Sequence, residues 1–337
     1  MTTVAGDQGN RRTRWAVLGP GVISGFFAYA LRRSMSGTLL AVGSRDRARA
    51  RSFADEHGAG VSGGYADILQ RDDVDAVYVG TVHTTHAELA VAALEAGKAV
   101  LCEKPVTPTP SDTQQVLAAA QRAWLPFLEA YKYRFGPLAA TVRQLISTGA
   151  IGRPVHVDAS YGGAATTRTG RLFEPELAGG AILDVGGYPV SLAVGVATWA
   201  GLVDAGTRPS LRSIAGLIGG TGVDEWTSAA IDLGGVLATV HTSLVADQLA
   251  RVVIRGSAGS LELPSIWGSR TASGVEAVVH TTGAPHRITV PVVDPMASEA
   301  DAVSLALAEG RTEVPEMTWA ETTLVAETLH LWRAGLD

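Results

Sequence analysis

Hydrophobic residues over the first 133 positions fall into two alternating rhythms. Short runs with almost no polar residue read as strands: RWAVLG (14–19), GTLLAVGS (37–44), VDAVYVGT (74–81), AVLCEKP (99–105) and PFLEAYKY (126–133). Between them lie segments with helical or helix-length patterning: ISGFFAYALRRS (23–34), RDRARARSFADEHG (45–58), YADILQR (65–71), HAELAVAALEAG (86–97) and SDTQQVLAAAQRA (111–123). Asp46 is placed to cap the second of these, Ser111 or Asp112 to cap the last, and Gly97 to stop the fourth. Strands this apolar are buried on both faces, which requires a parallel sheet covered by helices on each side. The pattern therefore predicts a doubly wound α/β domain over 14–133 with right-handed crossovers.

After Phe135 the pattern changes. A helix at 137–149 leads into RPVHVDASYG, and a Gly-rich stretch (179–187) leads into an apolar helix that ends near Trp199. From about 210 to 293, runs such as AAIDLG, LATVHTS, RVVIRGS and HRITVPVV are separated by turn residues, which predicts a mostly antiparallel open sheet. Helices at 298–310 and 318–334 close the chain, the last packing back toward the first domain. The second domain, 134–337, is thus α+β. One face of its sheet is expected to be left bare and to form a homodimer or homotetramer.

Composition adds bounds. The 337 residues are too many for one ordinary core, and 46% hydrophobic against 18% charged is enough to build two. A net charge of −6 argues against a nucleic-acid-binding face. Cys102 is the single cysteine, so no disulfide forms within the chain and a cytoplasmic setting is expected. Residues 1–13 are polar, are read as a disordered tail, and do not resemble a secretory signal. No uninterrupted apolar stretch reaches the roughly 18 residues of a membrane helix. His83 and His86 flank one loop without the third ligand a metal needs, and His241, His280 and His286 lie in strand-like runs.

The first chemical motif is VLGPGVIS (17–24), which gives Gly19-x-Gly21-x-x-Ser24 between a strand and a helix. That is the setting of a dinucleotide fingerprint: one glycine makes the tight turn and the next lets the backbone approach a pyrophosphate at the helix N-terminus. Gly19, Gly21, Val22 and Ile23 form this cradle, with serine in place of the third glycine. The second strand ends in Ser44-Arg45 rather than in an acidic residue. A carboxylate there would take a ribose 2′-hydroxyl, whereas a hydroxyl and a guanidinium suit a 2′-phosphate. NADP is therefore the expected cofactor, and NAD the lesser alternative.

The stretch GTVHTTHAELAVAALEAGKAVLCEKP (80–105), followed by GGAILDVGGYPV (179–190), resembles the glucose–fructose oxidoreductase / inositol dehydrogenase family over nearly the whole chain. The Val-His-Thr-Thr-His loop and the tyrosine of the second motif resemble most its dimeric dihydrodiol dehydrogenase and glucose–fructose oxidoreductase branches. The resemblance implies hydride transfer between a nicotinamide and a sugar-like or cyclic hydroxyl. It implies that Lys104 reaches the reacting oxygen, that Glu103 helps to hold the nicotinamide end, and that Thr81, His83 and His86 border the nicotinamide ribose. Tyr188 stands where many relatives carry an acid/base histidine. A phenol, with its ordinary pKa near 10, needs a cationic neighbour to work near neutrality, and Lys104 is the expected one. Asp184 lies four residues before Tyr188, on the same face of a helix. The family layout also places Arg134, Tyr161 and Arg168 at the substrate cleft, while Trp267 and Trp319 read as packing residues. The competing expectation is a non-enzymatic sensor that keeps the dinucleotide fold, binds a small ligand and regulates a partner. A sensor, however, has no need of the Lys104/Tyr188 pair.

Overall fold

The computed structural model describes residues 12–204, 206–267 and 274–336. Most of the tail expected at 1–13 lies outside the described residues, and Thr13 already belongs to the first strand. The first sheet holds β1 (Thr13–Leu18), β2 (Gly37–Gly43), β3 (Val61–Gly63), β4 (Ala76–Val79), β5 (Ala99–Glu103) and β6 (Phe127–Ala130). Its order is β3-β2-β1-β4-β5-β6, all parallel, which is the doubly wound arrangement. Every residue of β4, β5 and β6 is buried, which is why these strands show no polar alternation. The three-residue β3 carries too short a pattern to be seen in the sequence.

The helices of this domain are α1 (Val22–Leu31), α2 (Arg47–His57), α3 (Tyr65–Leu69), α4 (His86–Glu95) and α5 (Pro110–Ala123). Asp46 caps α2 by accepting from the Ala48 and Arg49 amides at 2.9 and 3.2 Å. The chain after α4 turns at Gly97, whose φ of +77° explains the glycine. The cap of α5 is not Ser111 or Asp112 but Thr109, which accepts from the Asp112 amide at 3.2 Å. Pro110 sets this start, because its fixed φ suits the first helical position.

The second domain opens with α6 (Pro137–Ser147) and β7 (Pro154–Gly162) and continues through α7 (Gly187–Trp199). Seven further strands follow: β8 (Ser210–Ile218), β9 (Asp224–Leu233), β10 (Val236–Ser243), β11 (Val252–Gly256), β12 (Gly259–Leu263), β13 (Gly274–His280) and β14 (His286–Pro291). Their order is β14-β13-β12-β11-β7-β10-β9-β8. The early strand β7 sits in the middle of this sheet and pairs parallel with β10; the other ladders are antiparallel. On one face α6, α7 and α9 (Trp319–Ala334) pack against the strands, and α8 (Pro295–Ala308) packs on α1 and β5. α9 also returns to the first domain, where Trp319 Nε1 donates to Phe127 O at 3.1 Å. The segment Pro175–Trp199 is long and apolar enough to cross a membrane, but 94% of its most apolar window is buried inside the protein. It is the helix around which the second core assembles.

Candidate active site

The loop after β1 has the geometry its glycines imply. Gly19 has φ +91°, and a Cβ there would lie 2.5 Å from Thr81 Cγ2 and 3.1 Å from Gly80 O, so only glycine fits. A Cβ at Gly21 would meet only Gly80 O, at 3.9 Å, which leaves the outer side of the loop open to a ligand. The N-terminus of α1 has no side-chain cap and no acidic residue in its first turn, so its amides and dipole face outward. Val22, at this corner, is 82% exposed. Ser24, in place of the third glycine, is buried and donates to Gly19 O at 2.6 Å. Gly80, just after β4, makes room for this serine: a Cβ there would lie 2.3 Å from Ser24 Oγ. These residues fit a dinucleotide.

At the end of β2, Ser44 is buried and accepts from the Asp46 amide at 3.1 Å, while Arg45 is exposed beside it. Arg49 reaches back from α2 to Pro20 O at 3.3 Å, placing a second guanidinium beside the loop.

β5 ends in Glu103, a buried carboxylate that accepts from Tyr78 OH at 2.6 Å. The next peptide, Lys104–Pro105, is cis. Lys104 Nζ donates to Asp184 O and stands 4.0 Å from Asp184 Oδ1. It also lies 5.4 Å from the centroid of the Tyr188 ring. Asp184 belongs to a π-turn, Ile182–Gly186, that runs directly into α7 and Tyr188. Burial disfavours the Asp184 carboxylate, but Lys104 and Arg171 outweigh it and hold the group below the usual carboxylate range. Arg171 Nη1 is 2.9 Å from Asp184 Oδ1, and no sequence motif marked it.

Tyr188 is 4% exposed, and burial pushes its phenol above the ordinary value, with Lys104 opposing. Its hydroxyl accepts from Lys132 Nζ at 3.0 Å, so the cation in hydrogen-bond contact is not the one the sequence led us to expect. Aromatic rings surround it: Tyr161 at 4.5 Å, Trp267 at 5.8 Å, Tyr131 at 5.9 Å and Tyr133 at 6.1 Å between centroids. Trp267 is therefore a wall of the site as well as a packing residue; its indole donates to Ser160 O at 2.8 Å.

The loop residues divide. His83 is buried at the site, 3.2 Å from Ala178 O, and burial with the nearby charges of His86 and Lys104 brings it down to about 3, so it is neutral. Thr81 accepts from Thr85 Oγ1 at 2.8 Å at the head of the loop. His86 was expected beside the ribose, but it is fully buried, with Nδ1 2.9 Å from Pro105 O and Nε2 3.2 Å from Thr81 O; burial favours the neutral imidazole, whose one N–H donates to one of these carbonyls. It braces the loop against the Lys104–Pro105 turn. Arg134 is a second correction. Its guanidinium is 0% exposed, pairs with Glu321 at 2.6 Å and donates to Ser191 O, so it is spent inside the core and does not line the cleft. Arg168 pairs with Glu225 at 3.1 Å near the surface. Among the described residues no group of His, Cys, Asp and Glu gathers as a metal site.

Residues 13–130 match the family model described as "Oxidoreductase family, NAD-binding Rossmann fold", and residues 139–262 match the GFO/IDH/MocA C-terminal domain. The chain is 30% identical over 325 residues to the trans-1,2-dihydrobenzene-1,2-diol dehydrogenase of Xenopus tropicalis, with 94% of this chain and 96% of the relative covered. The crystal structure of KijD10, a 3-ketoreductase from Actinomadura kijaniata in complex with NADP and TDP-benzene, superposes with a TM-score of 0.84 at 25% identity, over 96% of this chain and 98% of that one. An aldose-aldose oxidoreductase from Caulobacter crescentus shares the fold, with a TM-score of 0.82 at 20% identity over 96% of this chain and 98% of that one.

Proposed function

Because the chain belongs to the GFO/IDH/MocA family of NAD(P)-dependent oxidoreductases, we propose that it interconverts a carbonyl and a secondary alcohol on a cyclic alcohol, sugar or keto-sugar, with NADP(H) as cofactor and a Lys104/Tyr188 proton-transfer pair. The observation that carries this reading is the meeting of Lys104, from the end of β5, with Tyr188, from the start of α7. Its Nζ lies 5.4 Å from the ring, at the carboxyl edge of the parallel sheet where ligands of such folds bind.

Gly19, Gly21, Val22 and Ile23 would hold the pyrophosphate, Ser44 and Arg45 the 2′-phosphate, and Thr81, His83, Glu103 and Lys104 the nicotinamide half. When bound, NADP(H) supplies or accepts the hydride. The protein handles the proton. Burial keeps Tyr188 protonated, so in reduction its O–H is the donor: that bond breaks as the substrate oxygen gains its hydrogen. In oxidation the phenolate takes the proton back. Lys104 supports the phenolate and orients the substrate oxygen, and its contact with Asp184 fixes its direction. The rings of Tyr161 and Trp267 offer apolar faces to a cyclic substrate. The relatives' names, a dihydrodiol dehydrogenase and a sugar 3-ketoreductase, support the same class.

The test is turnover with keto-sugars, aldoses, cyclic polyols and trans-dihydrodiols, followed by nicotinamide absorbance. Tyr188→Phe and Lys104→Met should each lose roughly 10²–10⁴ in kcat while still binding NADPH. Near-native turnover of Tyr188→Phe would remove the pair from the mechanism. We also infer a homodimer or homotetramer through the second sheet. Its outer face presents Leu217, Trp226 and Leu237 between polar positions, with Leu217 63% exposed. Light scattering at micromolar concentration should give at least twice the chain mass; a monomer mass refutes it.

A further inference from the structure

We propose that Lys132 is a positioning residue for the proton transfer: it aims the Tyr188 hydroxyl at the substrate, supports the phenolate, and returns a proton to it from solvent. This rests on Tyr188 as the acid/base of the preceding section.

The argument begins with donor counting. A phenol has one hydrogen to give and lone pairs to receive with; an ammonium only gives. Lys132 Nζ lies 3.0 Å from Tyr188 OH, so the lysine is the donor and occupies a lone pair of the phenol oxygen. The phenolic hydrogen must then point elsewhere. Ser191 Oγ, the nearest hydroxyl on α7, is already bonded to Tyr133 OH at 2.9 Å and Tyr188 O at 3.0 Å. Lys104 Nζ donates to Asp184 O and, among the described residues, forms no hydrogen bond to the phenol.

A second, independent observation concerns charge. Glu299, on α8, is 0% exposed, and neither carboxyl oxygen has a hydrogen-bond partner among the described residues. Burial, with Glu103 and Asp294, drives this acid well above the ordinary range, and Lys132 is the group that opposes them. Glu299 is therefore held toward its neutral form. Among the described residues Lys132 forms no ion pair, and its hydrogen bond goes to Tyr188.

The proton balance closes. In reduction the Tyr188 O–H bond breaks and the substrate O–H bond forms. An N–H bond of Lys132 then breaks as the Tyr188 O–H bond reforms, and the Lys132 amine, which is only partly buried, takes a proton from water. Other groups facing the phenol are Lys104, Glu103, Tyr131, Tyr133, Tyr161 and Glu299, and all of them stay in place in the variants below.

The experiment uses the full chain, with fold checked by thermal unfolding and NADPH titration. Lys132→Met and Lys132→Ala should lose about 10²-fold in kcat with NADPH affinity unchanged. Lys132→Arg, which keeps a cationic donor, should stay within about tenfold of native, and ethylammonium should restore part of the activity of Lys132→Ala. Loss of the cation should also move the pH limb for oxidation upward by about one unit or more, because phenolate then forms less readily. If Lys132→Met does not fold, Lys132→Gln takes its place with the same expectations. A native rate and native pH limb without the cation overturn the proposal. So does a loss in folded protein that neither arginine nor ethylammonium restores. Tyr188→Phe run in parallel separates the cases: an active Tyr188→Phe sinks the underlying mechanism, whereas an inactive one beside a native-like Lys132→Met sinks only the role of Lys132.

Discussion

Replacing Glu321 should cost more stability than any single surface ion pair, and the structure says how much. Arg134 and Glu321 meet at 2.6 Å with side chains 0% and 2% exposed, so water cannot replace either partner. Burial disfavours the carboxylate, yet Arg134 outweighs burial and holds Glu321 below its ordinary range. Removing one member of such a pair leaves an uncompensated buried charge, which costs about 3–5 kcal/mol. Glu321 also closes the capping box of α9 by accepting from the Thr318 amide at 2.9 Å, and a lost cap costs about 1 kcal/mol. Glu321→Ala should therefore destabilise by about 4–6 kcal/mol, and Glu321→Gln, which keeps shape and cap, by about 3. In urea, the midpoint for Glu321→Ala should fall by roughly 1 M or more. The double variant Arg134→Met/Glu321→Leu should be more stable than Glu321→Ala, since it leaves no orphan charge. The consequence reaches the active site, because Arg134 holds Ser191 O, and Ser191 Oγ bonds Tyr188 O at 3.0 Å. A loss below about 1 kcal/mol in Glu321→Ala, or a double variant whose loss equals the sum of the singles, would refute the reasoning.

Two further outcomes are expected. Arg45→Asp should weaken NADPH binding more than tenfold and narrow or reverse the preference over NADH, measured by calorimetry; native protein that binds NADH equally well contradicts the assignment of Ser44 and Arg45. Glu129 is raised by burial to about 7, against an unfolded value near 4.3, so the folded state holds a proton that the unfolded state releases. Its contribution is full below about pH 4.3 and fades as pH rises through about 7, and Glu129→Gln should flatten that fall, which is on the order of 3 kcal/mol. Identical stability–pH curves for native and variant proteins would show that Glu129 is ionised when folded.

The sequence by itself determined what depends on neighbours along the chain. The parallel sheet was legible because strands buried on both faces have no polar alternation. The phosphate loop was legible because Gly19 must take a positive φ beside Thr81, and Lys104 because a charge ending a buried strand is out of place. Asp46 and Gly97 marked helix ends through purely local hydrogen bonds and backbone freedom. Only the tertiary structure decided which distant groups share one small volume. Lys132 meets Tyr188 across 56 positions, and nothing local distinguishes it from a surface lysine. Arg134 looked like a cleft residue until its partner Glu321, 187 positions on, took the guanidinium into the core. His86 looked like a ribose contact until the fold buried it between the carbonyls of Pro105 and Thr81. Trp267 read as packing alone until the second sheet brought it against Tyr161 and Tyr188. The physical reason is the same in each case. Periodicity, caps and turns are settled within a few residues, whereas the role of a buried polar side chain is set by whichever partner satisfies it, and that partner is chosen by the packing of the whole chain.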